Sequence, residues 1–345
     1  MPESAPTLDW SVLPPWMATH GLRGDVITGI APIGGGTQNL MYRFDFGGRS
    51  YVLRRGPRHL RPKTNEALRR EARLLTALAG TAVPAPVLVA AEPDETVLGS
   101  VFYLMDPVDG FNPSQELPAL HHGDSGVRRR MGFAAVEALA ALGEVDAAAV
   151  GLDDLGTPDG FLDRQVPQWL SALEKYGEFD GYDGHRFANI EQLANWLTTN
   201  QPRSFRPGLM HGDFHLANLM FRNDSPEVAA IVDWEMCTVG DPLLDLGWLL
   251  ATWPAESELV PSAIGQAGGL PTRAELVDCY GRVASRSVDD ATWYAVLASF
   301  KLAIVLEGTY ARACAGQAPA ETGQILHDMA AGLLTRAAEF IDNGL

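Results

Sequence analysis

The chain has 345 residues, an ordinary 46% hydrophobic content and a strongly acidic balance, with 26 Lys and Arg against 43 Asp and Glu for a net charge of −17. That length allows one large two-lobed domain or two small ones, and the acid excess argues against nucleic acid as a partner, whose phosphates need a basic footprint. No run of about 18 residues is free of charges and helix breakers, so no membrane span is expected. Residues 1–9 lack the basic start and apolar core of a signal peptide. Cys237, Cys279 and Cys314 form no CxxC pair, which points to a reducing cytoplasm and away from structural zinc.

The first 25 residues carry Pro2, Pro6, Pro14 and Pro15 and read as an irregular N-terminal segment. Strands are expected at Val26–Ile30, Leu40–Phe46 and Ser50–Arg54, with turns at Gly34-Gly35-Gly36 and Gly47-Gly48. Thr64–Leu78 has helical spacing, Pro84 and Pro86 close that region, and Val87–Ala90 and Val101–Met105 read as further strands. Residues 26–107 are thus predicted to form a small β-rich, nucleotide-binding lobe with one helix.

After Gly110 the pattern turns helical, at Val127–Leu142, Phe161–Tyr176, Phe187–Thr199, Asp241–Trp253, Arg273–Ser285, Ala291–Arg312 and Gly323–Ile341. Asp241-Pro242 is a helix start, a capping acid followed by proline at the first helical position. Residues 108–345 are predicted as a larger, mainly helical lobe with the catalytic loop and acceptor site. The fold class is α+β, with no internal repeat. Charge divides unevenly: up to Asp106 there are 11 Lys and Arg against 10 Asp and Glu, and beyond it 15 against 33. A near-neutral front suits a nucleotide. The acidic remainder is either a solvated surface or an attraction for a cationic acceptor.

The most specific signal is His211-Gly212-Asp213-Phe214-His215-Leu216-Ala217-Asn218, followed by Ile231-Val232-Asp233-Trp234-Glu235. The spacing H-x-D-x-x-x-x-N with a later Asp parallels the protein-kinase signature, with Gly212 in place of its Arg and Trp234-Glu235 in place of its Phe-Gly. Phosphoryl transfer needs these groups: a carboxylate to orient the acceptor hydroxyl and take its proton, and oxygen ligands for Mg²⁺ on the phosphates. Asp213 is the candidate base, and Asn218 and Asp233 are the candidate metal ligands, since Mg²⁺ prefers oxygen donors and keeps several waters. His211 and His215 flank the acid at a spacing that suits loop-bracing hydrogen bonds better than metal ligation. Asp245 reads as support for the loop's backbone.

Glu71 falls on the apolar stripe of its helix, with Leu68, Leu75 and Leu78. A buried carboxylate needs a cation, and Arg54, after Tyr51-Val52-Leu53, is the best partner, a pair able to aim a guanidinium at ATP phosphates. Gly34 and Gly36 belong to a glycine-rich turn that lets backbone amides approach phosphate. Met105 to Gly110 reads either as a plain connector or as a segment whose Asp106 carbonyl and Val108 amide pair with adenine, Pro107 having no donor to give.

These residues resemble the aminoglycoside phosphotransferase family, kinase-like enzymes that phosphorylate small molecules. The likeness rests on Tyr51 to Arg54, Arg70-Glu71-Ala72, Met105 to Gly110, His211 to Asn218 and Ile231 to Leu246, and runs from about Ile30 to Leu250. It implies a protein-kinase-like two-lobed fold, ATP and Mg²⁺, with Asp213 as base, Asn218 and Asp233 as metal ligands, and Arg54 with Glu71 positioning phosphate. Arg54 stands where Lys is more usual.

Within that family, Gly151 to Gly156, Phe161 to Gln165 and Trp169 resemble the branch fused to, or encoded near, acyl-CoA dehydrogenases. That branch is linked to phosphorylation of hydroxyacyl groups in fatty-acid breakdown. The dehydrogenase part is missing here, so a stand-alone kinase is expected. The implied acceptor is the hydroxyl of a small molecule, a hydroxyacyl-CoA or related hydroxy acid. The acidic second lobe instead favours an aminoglycoside or other cationic acceptor. A nucleotide-binding pseudokinase regulator is the third reading, against which the intact Asp213, Asn218 and Asp233 count.

Overall fold

The computed structural model describes residues 8–34, 39–57, 63–185, 187–254 and 261–345. The chain divides into two compact units, Met1–Asp109 with Ala229–Glu235, and Gly110–Val228 with Met236–Leu345.

In the first unit a short 3-10 turn leads into helix α1 (Leu13–Thr19), followed by β1 (Thr28–Pro32), β2 (Leu40–Phe46), β3 (Arg49–Arg55), α2 (Thr64–Leu78), β4 (Leu88–Glu92) and β5 (Phe102–Met105). The five strands form one sheet in the order β1-β2-β3-β5-β4, every neighbouring pair antiparallel. Gly47 and Gly48 both have positive φ, at 60° and 78°. They close a two-residue hairpin between Phe46 and Arg49, the turn whose twist matches the flanking strands.

One expectation fails here. The proline-bearing start is not wholly irregular, because Pro14 and Pro15 occupy the first turn of α1, where no intrahelical N–H is missed. Leu13, Trp16 and Met17 then bury against Phe44, Phe46, Leu53 and Phe102 on one face of the sheet. The Trp16 indole N–H donates to Glu92 at 2.7 Å. Residues 229–235, placed with the second lobe by the sequence, group with the first unit. The Ile231 amide donates to the Pro84 carbonyl at 2.9 Å, and Asp233 meets Arg54.

The second unit carries α3 (Ala119–Gly123), α4 (Ser125–Gly143), α5 (Phe161–Lys175), α6 (Ile190–Thr199), β6 (Gly208–Met210) and β7 (Leu219–Phe221). After β8 (Val228–Ile231) come β9 (Thr238–Gly240), α7 (Leu243–Thr252), α8 (Ala263–Ala267), α9 (Arg273–Val283), α10 (Ala291–Cys314) and α11 (Ala320–Asn343). β6 and β9 pair antiparallel and bracket the stretch that becomes the site. Helix α7 is buried on almost all sides. It packs on α10 so closely that a Cβ on Gly247 would sit 2.3 Å from the Tyr294 carbonyl oxygen. Asp241 accepts the Leu243 amide at the start of α7 at 3.1 Å, as a capping acid should.

Helix α10 carries Lys301 and Glu307 within its apolar run. Among the described residues it is long and apolar enough to cross a membrane, but 72% of its most apolar window is buried inside the protein, where it packs on α7 and α11. Glu307 on α10 is fully buried and accepts from the Tyr182 hydroxyl at 2.7 Å, with the His327 ring nitrogen also at 2.7 Å.

Candidate active site

In the first unit, register sets the chemistry. Arg54 lies opposite Met41 on β2 and Tyr103 on β5, so its side chain enters the face covered by α2. Its Nε is 3.0 Å from Glu71 Oε2, with the two side chains 11% and 5% exposed. That N–H is not aimed at the oxygen, so the contact is an ion pair rather than an aligned hydrogen bond. Arg54 Nη2 also meets Asp233 Oδ1 at 3.2 Å. Burial pushes the Glu71 carboxyl up, against the opposing pull of Arg54 and a hydrogen bond from Tyr103. Burial works to lower the Arg54 pKa, but Glu71 and the neighbouring charges more than reverse it and the net shift is upward.

Asp233 has φ 65°, a left-handed conformation that L side chains other than Asn and Asp seldom adopt. It turns the chain directly after β8 and leaves the carboxylate partly exposed beside Arg54. Gly34 lies two residues past β1, exposed, with open space around its Cα; Gly36 lies outside the described residues. The Asp106 amide donates to Val87 at 2.9 Å and its carboxylate pairs with Arg49 at 2.5 Å. Val108 follows in the same connector.

In the second unit, Asp213 sits in the loop between β6 and β7. His215 Nε2 lies 3.3 Å from Asp213 Oδ1, and Asn218 Nδ2 donates to Asp213 Oδ2 at 3.1 Å and to its carbonyl at 2.9 Å. Burial alone would raise the Asp213 carboxyl. The hydrogen bond and charge of His215, with His211 and Asn218, overcome that and hold it at about 2. With Asn218 Nδ2 turned toward Asp213, the Oδ1 of the same amide is the oxygen left to face a cation.

The loop is tied down from beneath by Asp245 on α7, which accepts the His211 amide at 2.5 Å and the Gly212 amide at 2.9 Å. Gly212 has φ 87°, and a Cβ there would lie 2.4 Å from the Met236 carbonyl, which is why an Arg-like side chain has no place at this position. The histidines brace the loop: Asp213 donates its amide to His211 Nδ1 at 3.3 Å. Among the described residues no cluster of three or more His, Cys, Asp or Glu could hold a metal ion. Asn218 and Asp233 each offer an oxygen of the kind Mg²⁺ prefers, and a metal that takes few protein ligands fills its shell with phosphates and waters.

Asp245 is fully buried, and its carboxyl is raised by that burial to about 7 despite the two amides and Lys301. An acid with a raised folded-state pKa contributes stability that is complete below its ordinary value and lost as pH rises through the folded value. Between pH 4 and 7 the wild type is therefore expected to lose stability relative to Asp245→Asn. Urea denaturation of both proteins at several pH values checks this; a difference independent of pH would contradict it.

Beside Asp213 opens a cavity of about 400 Å³ walled by α7, α10 and α11. Leu216, Trp248, Trp253, Leu302, Leu306 and Leu333 supply most of its surface, and Asp213, His215 and Arg336 its ionisable groups, with hydroxyls from Ser114, Thr252 and Ser262. Lys301, whose ammonium lies 4.8 Å from the Trp248 ring and 5.4 Å from that of Trp169, stands behind this wall. Burial lowers its pKa, opposed by the charges of Asp245 and Asp213. The sequence reading missed Lys301, Tyr103 and Arg336. For Lys301 and Arg336 the signal was the one that exposed Glu71, a charge set among apolar helical positions.

The family model of the phosphotransferase enzyme family matches residues 29–279. Among curated proteins, acyl-CoA dehydrogenase family member 10 of Mus musculus is 30% identical over 84% of this chain. The match spans only 27% of that relative, so the chain spans about a quarter of its length. Among solved structures, a candidate aminoglycoside phosphotransferase from Ralstonia eutropha is 27% identical, with 96% of this chain and 99% of that one covered and a TM-score of 0.78. A thermostable mutant aminoglycoside phosphotransferase, solved as a ternary complex with ADP and hygromycin B, is 14% identical with a TM-score of 0.58. It covers 94% of this chain and 97% of its own, a likeness of fold alone. The kinase-like fold of these neighbours and the match over most of the sequence lead to one assignment: the chain belongs to the phosphotransferase enzyme family, in the branch related to the acyl-CoA dehydrogenase family members.

Proposed function

We propose that the chain is an ATP- and Mg²⁺-dependent kinase whose acceptor is a hydroxyl on an apolar-chain small molecule, a hydroxyacyl group or a related hydroxy acid. The observation that carries the acceptor class is the wall of the cavity at Asp213. Among the described residues it is mostly aliphatic and indole surface, with one carboxylate, one imidazole and one guanidinium. Among the described residues Asp213 is the acid that lines this cavity, which offers a polycationic aminoglycoside little, whereas an alkyl chain gains about 25 cal/mol for each Å² it buries.

Asp213, ionised throughout the neutral range, orients the acceptor hydroxyl and takes its proton as the bond to phosphorus forms. Its low pKa makes it a weak base, which suits a loose transition state that depends more on positioning than on proton abstraction. Magnesium-bound nucleotide would supply the phosphoryl group and neutralise its charge. Asn218 Oδ1 and the Asp233 carboxylate are the residues that would hold the metal, and Arg54, oriented by Glu71, would bind phosphate oxygens. Asp106 and Val108 would receive the base.

The test is Mg²⁺-dependent stabilisation by ATP in thermal melts, followed by turnover with a panel of hydroxyl acceptors. Apolar-chain hydroxy compounds are expected to gain a phosphate, and hygromycin B and choline are not. Preferential phosphorylation of the cations would overturn the acceptor class. ATP binding with no turnover on any acceptor would favour the regulatory reading.

A further inference from the structure

Near the start of the second unit, residues 111–114 are tied to the candidate catalytic loop at two points. Phe111 and Phe221, at the end of β7, form an isolated antiparallel bridge in which each amide donates to the other's carbonyl at 2.9 Å. One residue on, Asn112 reaches 105 positions along the chain, and its Nδ2 donates to the Ala217 carbonyl at 2.6 Å. The other end of the same amide is held as well, since Asn112 Oδ1 accepts the Ser114 amide at 2.9 Å. With its oxygen on an N–H and its nitrogen on a carbonyl, the side chain has one satisfied orientation. The backbone beneath it is a closed turn, in which the Asn112 carbonyl accepts the Gln115 and Glu116 amides at 3.1 and 3.2 Å.

Ala217 immediately precedes Asn218, and the two share one peptide unit. That unit is planar, and both of its polar ends are fixed: the Ala217 carbonyl by Asn112, and the Asn218 N–H by the His215 carbonyl at 2.9 Å. Leu216–Asn218 is a single 3-10 turn, and a turn this short leaves its last carbonyls to donors from outside. A planar unit pinned at both ends sets the direction in which the next side chain leaves the backbone. We infer that Asn112 is a positioning residue: through the Ala217 carbonyl it sets Asn218, the candidate magnesium ligand, in the orientation that leaves Oδ1 for the metal. This rests on the kinase reading above and deepens it, adding a second support for the loop to the one Asp245 gives from beneath. The support is itself anchored. Ser114 lines the cavity at Asp213, as does Ala217, and the Pro113 and Ser114 carbonyls accept the Ile264 and Ala263 amides of α8 at 3.0 and 3.1 Å.

The test reads the affinity that Mg²⁺ adds to AMP-PNP binding, by calorimetric titration of the full chain with the metal and again with EDTA, so no turnover is needed. Asn112→Ser withdraws the donor from Ala217 and keeps a neutral oxygen able to cap the Ser114 amide. It is expected to cut the Mg²⁺ gain by about tenfold, as loss of a group that orients a metal ligand does, and to leave the affinity in EDTA unchanged. Asn218→Ala is expected to cut the gain at least as far. Adding Asn112→Ser to it should then have no further effect, because one residue acts through the other. A merely structural Asn112 would weaken AMP-PNP with and without metal alike, or lower the urea midpoint while the Mg²⁺ gain stays intact. Either result overturns the proposal, and so does a full additional loss in the double variant. A Mg²⁺ gain that is absent from the wild type, or that survives Asn218→Ala, would instead overturn the metal assignment of the kinase reading, and the role of Asn112 would fall with it.

Discussion

Asp213→Asn is expected to lower kcat by about 10²–10⁴-fold, the usual contribution of a positioned acid–base group, while nucleotide affinity stays essentially unchanged. The substitution keeps the shape of the side chain and an oxygen for the Asn218 amide, which donates to Asp213 at 3.1 Å. It removes the negative charge that His215 and His211 hold in place. Steady-state kinetics with calorimetric titration of Mg²⁺-ATP separate the two quantities. Equal losses in both would show that the residue binds nucleotide rather than serving the acceptor. Because the carboxyl is held near 2, its protonation is not expected to appear in a rate profile at neutral pH. The sign follows from the lowered value: this group's share of stability is present above its ordinary pKa near 3.8 and lost only as pH falls through about 2.

The second large effect belongs to the first unit. Glu71→Leu is expected to cost about 3–5 kcal/mol, because removing one member of a buried ion pair strands the other. Arg54 is only 11% exposed, and its remaining partner Asp233 is 45% exposed and so weakly felt. Tyr103, which hydrogen-bonds Glu71, would be left with an orphaned hydroxyl as well. Replacing the group together, as Arg54→Met, Glu71→Leu and Tyr103→Phe, is expected to recover most of that stability, since well-packed apolar side chains replace buried ion pairs at little net cost. The triple variant should nevertheless bind Mg²⁺-ATP weakly. Urea denaturation and calorimetry decide the matter. Additive destabilisation across the three changes, or unchanged nucleotide affinity in the triple variant, would count against a phosphate-positioning pair.

The acidic balance of the second unit shows where composition misleads. Summed over the chain beyond Asp106 it suggests a cationic acceptor. In the structure several of those acids are engaged by other side chains and do not line the cavity: Glu275 with Arg129, Glu144 with Arg206, Glu307 with Tyr182 and His327. Net charge adds over residues without regard to position, whereas a ligand feels the few groups that face it.

Elements whose signal is local were legible. β2 and α2 occupy the predicted Leu40–Phe46 and Thr64–Leu78, because strand alternation and helical periodicity are carried by adjacent residues. The burial of Glu71 followed from that periodicity, and the loop-supporting role of Asp245 from its place on a helix rich in leucine. Helix α1 was not legible, since Pro14 and Pro15 break a helix in its interior and are harmless in its first turn, and only packing on the sheet tells which applies.

The candidate catalytic loop announced itself because its residues lie within a few positions of one another, where spacing alone constrains chemistry. The cavity proposed for the acceptor did not. Its wall joins Leu216 and Trp248 to Leu302, Met329 and Arg336, far along the chain, and no periodicity links residues on separate helices. The reaction proposed for the chain is thus written in short contiguous runs, while the proposed choice of acceptor rests on side chains that meet only when α7, α10 and α11 pack.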